Sequence, residues 1–302
     1  GKTLFIDEIH KYKEWSRELK MIYDYHPKLK IVFTGSSILD INRGAADLSR
    51  RAVMYQMQGL SFREFLAMFK GIKPPVFSLQ EVITHKVEIP EVEHPLPLFE
   101  EYLRCGYYPF MQEEDFSIRL QQVVSQTLEV DIPQYADMNV STGRKLKQLM
   151  AIIAQCVPFK PNFTQIASVL ETSRNNIADY FLSIEEAGLI GQLRDAAGGI
   201  KGFGKVEKVF LDNTNLQYSL IPGLPNIGNV RETFFFNQLK ATHDIFSSPV
   251  SDFQIGDITF EVGGKSKTRK QIKDVENGFV VKDNTEFGYS NIIPLWQFGM
   301  LY

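Results

Sequence analysis

The chain opens on an apolar run, Thr3–Ile6, that stops at Asp7-Glu8. Apolar positions then recur at helical spacing from Trp15 to Tyr25 (Trp15, Leu19, Ile22, Tyr23), and Pro27 ends that period. Lys30–Thr34 reads as a second buried strand, with Gly35-Ser36-Ser37 as a small-residue turn behind it. Short helical pieces are expected at Ile38–Ile41 and Ala45–Leu48, and the alternation of Val53, Tyr55 and Met57 predicts a third strand. Short strands alternating with helices predict a parallel sheet in an α/β layer.

Leu60–Phe69 reads as a helix opened by Ser61, with Glu64 at the position that closes a capping box. Lys73-Pro74-Pro75 and Ile89–Pro97 then mark a linker or irregular surface segment. Helical periods dominate from Phe99 to Met150, with breaks expected at Gly106, Pro109 and Pro133. A trihelical pattern follows over Arg144–Leu193. Beyond Gly198-Gly199, strand-like stretches appear at Val206–Leu211, Phe253–Ile255, Ile258–Val262 and Gly278–Val281, with a helix at Val230–Lys240. These patterns divide the chain at 1–72, 73–143, 144–202 and 203–302, giving an α/β and α+β multidomain protein. No internal repeat or low-complexity tract is present.

Composition narrows the class. At 302 residues, 44% apolar and 23% charged, the chain can bury real cores in two or three domains. A net charge of -3 argues against a chain coated in nucleic acid and leaves room for a local basic face. Cys105 and Cys156 are too few and too far apart for a disulfide framework or structural zinc, which fits a cytoplasmic protein. No apolar run approaches the roughly 20 residues of a membrane span. The opening Gly1-Lys2-Thr3 is not a signal peptide, and the native protein is expected to extend further upstream.

Leu4-Phe5-Ile6-Asp7-Glu8 is the arrangement in which P-loop ATPases hold a Walker B pair, with the carboxylates at the carboxyl edge of a buried parallel strand. The order of strand-DE, Ile31–Ser37 with its Thr-Gly-Ser-Ser tip, Leu48-Ser49-Arg50-Arg51, and Gly59-Leu60-Ser61-Phe62-Arg63-Glu64-Phe65 resembles one subfamily of predicted prokaryotic AAA+ ATPases. The resemblance covers residues 1 to about 70. It implies a partial AAA+ P-loop core in which Asp7 is the magnesium-side residue and Glu8 the catalytic glutamate. Ser36 is the first choice for sensor 1, with Thr34 and Ser37 as rivals. Arg50 or Arg51 matches the segment of an arginine finger, worth about 10³–10⁵ in rate, although both also read as solvated helix-end charges. ATP, magnesium and a homo-oligomer are the implied cofactors and assembly. No G-x-x-x-x-G-K-[ST] occurs in the 302 residues. This polypeptide is therefore expected to bind ATP poorly and hydrolyse none.

Arg144–Val157, Gln165–Leu170 and Arg174–Ala187 form helix, helix, turn, helix, and Gly188-Leu189-Ile190 turns into a strand. The phrases Phe163–Ala167, Ser173–Ile177 and Leu182–Ile190 resemble a winged helix-turn-helix, with Ile177, Phe181, Ile184 and Leu189 facing inward. Such a domain implies double-stranded DNA as partner, read by Arg174, Asn175 and Asn176, with Lys201 and Lys205 on a wing. Asp179, Glu185 and Glu186 do not help. Protein contact is the competing role.

Glu232 on a helix, then Ser251-Asp252-Phe253, then Glu261 on a neighbouring strand resembles the PD-(D/E)xK nuclease core, a restriction-endonuclease-like α/β fold. There paired carboxylates hold magnesium and a lysine activates water. The stretch from about residue 203 onward, with Phe260–Lys265 and Ile293–Trp296, also resembles the domain of unknown function that accompanies the ATPase subfamily. Asp257 rivals Asp252. The pattern departs at E-x-K: Glu261 is followed by Val262-Gly263, and the first lysine is Lys265. A degenerate nuclease-like fold kept for binding is the favoured expectation over an active enzyme. The run from Lys265 to Lys273, with Lys267, Arg269 and Lys270, is the most basic in the chain and suits a phosphate backbone. The functional choices are thus an ATP-driven protein acting on DNA, a nucleotide-controlled protein-interaction switch, and an ATP-gated magnesium nuclease.

Overall fold

The computed structural model describes residues 2–35, 48, 50–136, 138–196, 204–264 and 272–302. Strands β1 (Thr3–Ile6) and β2 (Lys30–Phe33) pair in parallel, Thr3 opposite Lys30 through Ile6 opposite Phe33. Parallel neighbours need a crossover, and helix α1 (Trp15–Tyr25) supplies it. Ile6, Ile31 and Phe33 pack with Trp15, Leu19, Ile9 and Leu48 in a small core. The Trp15 and Phe33 rings lie 5.6 Å apart. On the opposite side Phe5 is 74% exposed and Val32 45%, so the opening strand is covered on one face rather than two.

The third strand expected over Val53–Met57 does not form; these residues are irregular and exposed. Alternation is rewarded only when a neighbouring edge completes the ladder, and among the described residues this segment meets none. Of the short helical pieces expected between 38 and 48, all but Leu48 lie outside the described residues.

Helix α2 (Phe62–Phe69) carries the expected capping box, with the Glu64 backbone N–H donating to the Ser61 hydroxyl and the Ser61 N–H to the Glu64 carboxylate. Its buried stripe of Phe62, Phe65 and Leu66 joins a core with Phe99, Tyr102, Phe234, Trp296 and Phe298. Ring centroids are 5.4 Å apart for Phe62–Phe99 and 4.7 Å for Phe99–Phe234. Phe62, Phe65, Leu66, Phe69 and Ile72 thus pack with elements later in the chain, because a helix follows its apolar face and not its sequence neighbours.

Helices α3 (Leu79–Ile83) and α4 (Pro95–Glu101) enter that same core, so the proline-rich stretch is more than a linker. Pro95 sits in the first turn of α4, where its missing N–H costs nothing. A π turn (Tyr102–Gly106) extends α4. Helix α5 (Phe116–Gln126) runs through a second π turn (Thr127–Asp131) into α6 (Ile132–Tyr135). Pro133, an expected break, is accommodated in the first turn of α6.

A second core joins Leu120, Val124, Leu128 and Ile132 to helices α7 (Val140–Cys156), α8 (Phe163–Val169) and α9 (Arg174–Glu186). Asn162 and Ser173 cap α8 and α9, accepting from Gln165 and Asn176 backbone N–H groups. Gly188, at φ +72, turns the chain out of α9. Strands β3 (Ile190–Arg194) and β4 (Val206–Leu211) follow as an antiparallel pair, and Ile177, Phe181, Ile184 and Leu189 are buried as predicted.

Helices α10 (Thr214–Leu220) and α11 (Ile227–Lys240) lead into five strands: β5 (Phe246–Ser247), β6 (Phe253–Ile255), β7 (Ile258–Gly263), β8 (Gly278–Lys282) and β9 (Ile292–Pro294). They lie in sequence order, antiparallel through β7 and parallel from β7 to β9. Helix α11 covers this sheet through Phe235, whose ring contacts Phe253, Phe260 and Phe298. The molecule is thus a mixed α/β protein, and its described residues form three cores. Both cysteines are free thiols.

The junction into α2 is gripped from several sides. Tyr102 donates its hydroxyl to the Leu60 carbonyl (2.7 Å), and Leu60 N–H donates to the Tyr107 carbonyl (2.8 Å). The Ser61 hydroxyl and Arg63 Nε both donate to the Tyr302 carbonyl at 2.7 Å. Gln238 of α11 donates to the Tyr102 phenol oxygen at 3.1 Å, and Asn215 of α10 accepts from Tyr107 N–H at 2.8 Å.

Candidate functional site

Asp7 follows the last residue of β1 and Thr34 the last of β2, so the parallel register brings the two together. Asp7 Oδ1 accepts from the Thr34 hydroxyl and, at 3.0 Å, from the Glu8 backbone N–H. Backbone bonds fix the corner: Thr34 N–H donates to Ile6 (2.9 Å) and Ile9 N–H to Thr34 (3.0 Å). The Thr34 hydroxyl first, and the Glu8 N–H second, hold the Asp7 carboxyl below its ordinary range. Glu8 itself takes the left-handed conformation (φ 52) and its carboxylate lies 3.0 Å from Lys11 Nζ. The corner presents an ionised carboxylate and a hydroxyl, the hard oxygen donors that magnesium prefers.

Thr34, the rival for sensor 1, is the residue that touches Asp7; Ser36 and Ser37 lie outside the described residues. Arg51 reaches back to α1 with two prongs, Nε to Asp24 Oδ1 at 3.0 Å and Nη2 to Oδ2 at 3.1 Å. Such a fork is a fixed intramolecular clamp. Arg50 is exposed.

Arg174, Asn175 and Asn176 are exposed on the first turn of α9. Asn176 spends one amide proton on the Thr172 hydroxyl at 3.0 Å. In the β3–β4 pair, Lys205 N–H donates to Asp195 Oδ1 at 2.9 Å, and Lys201 lies outside the described residues. Glu185, an acid that did not help the DNA reading, instead accepts from Gln192 N–H (2.8 Å) and Nε2 (2.7 Å). Burial raises its pKa, with the Gln192 bonds and Arg194 opposing.

The three acids of the nuclease-like pattern come close in space but do not converge as a metal trio. Lys208 of β4 stands between two of them, Nζ 2.9 Å from Glu232 Oε2 and 3.3 Å from Asp252 Oδ1. The second Asp252 oxygen accepts from Val262 N–H at 3.0 Å. Glu261, 1% exposed, accepts from the Ser251 hydroxyl. Burial pulls the Lys208 ammonium down, but Glu232 and then Asp252 more than offset it, leaving its pKa above the ordinary lysine range. Asp257 instead accepts from Asn277 Nδ2 at 2.7 Å, in the turn after β6. Lys265, Lys267, Arg269 and Lys270 lie outside the described residues. Among the described residues no group of three or more His, Cys, Asp or Glu side chains is arranged to hold a metal. Lys208 was not foreseen. It sits on a strand before α11, and no spacing rule links it to Glu232 or Asp252.

Residues 1–66 match the family described as an AAA domain, and residues 96–221 match a domain of unknown function (DUF8612). The second match covers helices α4 to α10 and the β3–β4 pair, largely upstream of the stretch from 203 onward where such a domain was expected. An uncharacterized protein of Methanocaldococcus jannaschii is 26% identical over 221 residues, covering 68% of this chain and 45% of that protein. The chain thus spans less than half the length of that relative. No solved structure matches. The opening residues are thus similar to an AAA domain, and no described helix is long and apolar enough to cross a membrane.

Proposed function

We propose that this chain carries the Walker B and sensor part of a cytoplasmic, ATP- and magnesium-dependent AAA-type ATPase that acts on double-stranded DNA. In this reading α7–α9 with β3–β4 are a winged helix-turn-helix, and the C-terminal sheet is a nuclease-like fold kept for binding. One observation carries the ATPase part. An ionised Asp7 stands at the carboxyl end of a parallel strand, bonded to Thr34 of the next strand, within the residues that match an AAA domain. Ligands of open α/β sheets bind at that edge.

Magnesium would be held by Asp7 through water, with Thr34 fixing the carboxylate; when bound it neutralises charge on the transferring phosphate. Glu8 is the group placed to polarise water, and Arg50 is the candidate finger toward a neighbouring subunit of a homo-oligomer. A Walker A loop is not among the 302 residues, so turnover is proposed for a polypeptide that includes one.

The DNA part is supported by the exposed first turn of α9, which presents Arg174 and Asn175. A second reading, protein contact, is favoured by Val169 and Leu182, both apolar and exposed on α8 and α9. Binding to a labelled duplex over a salt series separates them. DNA binding requires affinity that falls steeply with salt and weakens in Arg174→Glu. No duplex binding at low salt leaves the protein-contact reading.

A further inference from the structure

The acidic centre of the C-terminal sheet already contains a cation. We propose that the Lys208 ammonium is the resident counter-ion of Glu232 and Asp252, and that it closes this centre to divalent metal. The inference rests on the nuclease-like reading only for the name of the domain; its argument is geometric.

The residues arrive from three elements that the sequence keeps apart: Lys208 from β4, Glu232 from α11 and Asp252 from the turn before β6. Nζ sits 2.9 and 3.3 Å from one oxygen of each acid, and 5.8 Å from the centroid of the Phe253 ring beneath. A divalent ion held through those oxygens would have to stand about 2.0–2.6 Å from them. It would then lie within a few ångströms of a positive charge in a half-buried site, where repulsion is poorly screened.

Two further carboxylate contacts point the same way. Asp252 Oδ2 is committed to the Val262 backbone N–H, which fixes the acid to β7. The Glu261 carboxylate, buried beside it on that strand, is bonded to Ser251, the residue preceding Asp252. A nuclease lysine of this kind stands beside the metal and acts on water. Lys208 instead donates to both carboxylates. The lysine thus takes the metal's electrostatic role without its chemistry, and it ties the β3–β4 pair to the C-terminal sheet. The domain is left able to bind and unable to hydrolyse by metal-activated water.

The test needs no nucleic acid, so it fails or succeeds independently of duplex binding. Manganese binding is followed by electron paramagnetic resonance, and thermal unfolding is recorded with and without the ion. The parent chain should show no manganese binding that depends on Asp252. Lys208→Met should unfold at a midpoint lower by roughly 5 °C or more, because two carboxylates lose their partner. Adding Glu232→Gln and Asp252→Asn to it should recover most of that loss. Manganese held by the parent and released in Asp252→Asn overturns the proposal, as does a Lys208→Met chain as stable as the parent. Should Lys208→Met not fold, the manganese measurement on the parent and the folding of the triple variant decide. A triple variant that also fails to fold counts against it.

Discussion

Thr34 donates its hydroxyl to the Asp7 carboxylate from one residue beyond the end of the neighbouring parallel strand. The contact follows from register alone: once Ile6 lies opposite Phe33, the next polar side chain on each strand must meet the other or face solvent. It links the two ends of a motif that the sequence could only place in order.

Thr34→Val should therefore move the Asp7 titration upward, toward the ordinary carboxylate range. The folded pKa is depressed, so Asp7 stabilises the fold above its unfolded pKa and loses that contribution as pH falls through the folded value. Removing the hydroxyl narrows this gap and flattens the acid-side dependence of stability. Carboxyl carbon shifts followed by NMR from pH 7 downward read the change; an unmoved Asp7 would remove Thr34 from the site.

Tyr102→Phe deletes a buried hydroxyl that donates to Leu60 and accepts from Gln238. Leaving those partners unpaired should cost about 1–3 kcal/mol in denaturant unfolding. A loss indistinguishable from zero would show that water readily replaces the phenol.

Gly106→Ala tests the closeness of packing behind α4. A Cβ there would stand 2.6 Å from Tyr102 Cδ2 and 2.8 Å from Phe65 Cδ2, both on buried rings. Overpacking should cost about 1–3 kcal/mol. A stability equal to that of the parent would mean the rings yield.

Phe234→Ala should cost about 3–5 kcal/mol, since that ring lies in the largest core against Phe99 and Tyr102. Phe5→Ala, at a ring mostly in solvent, should stay within about 0.5 kcal/mol. Comparable losses at the two sites would contradict the description of β1 as covered on one face.

Much of this was legible from residues that act on near neighbours. The Ser61–Glu64 capping box, the inward stripe Ile177–Phe181–Ile184 and the strands at 206–211 and 258–262 all appear where local pattern placed them. What was not legible depends on partners distant in sequence. Val53, Tyr55 and Met57 alternate as a strand does, but an alternating run becomes a strand only beside another edge. Phe62 and Phe65 read as the end of the ATPase segment, yet their rings complete a core assembled from residues near 100, 234 and 298. Lys208 escaped for the same reason: charge complementarity across three elements leaves no signature in any one of them.

The placement of α2 also bears on how this protein can be recombined. A chimera that imports the ATPase segment of a relative and joins it after residue 72 would bring foreign side chains in place of Phe62, Phe65 and Leu66, disturbing the host's largest core. The better splice falls within the exposed, irregular stretch 53–57, ahead of the hydrogen bonds that fasten Gly59 and Leu60 to Tyr107 and Tyr102. Joined there, either half keeps its own interior.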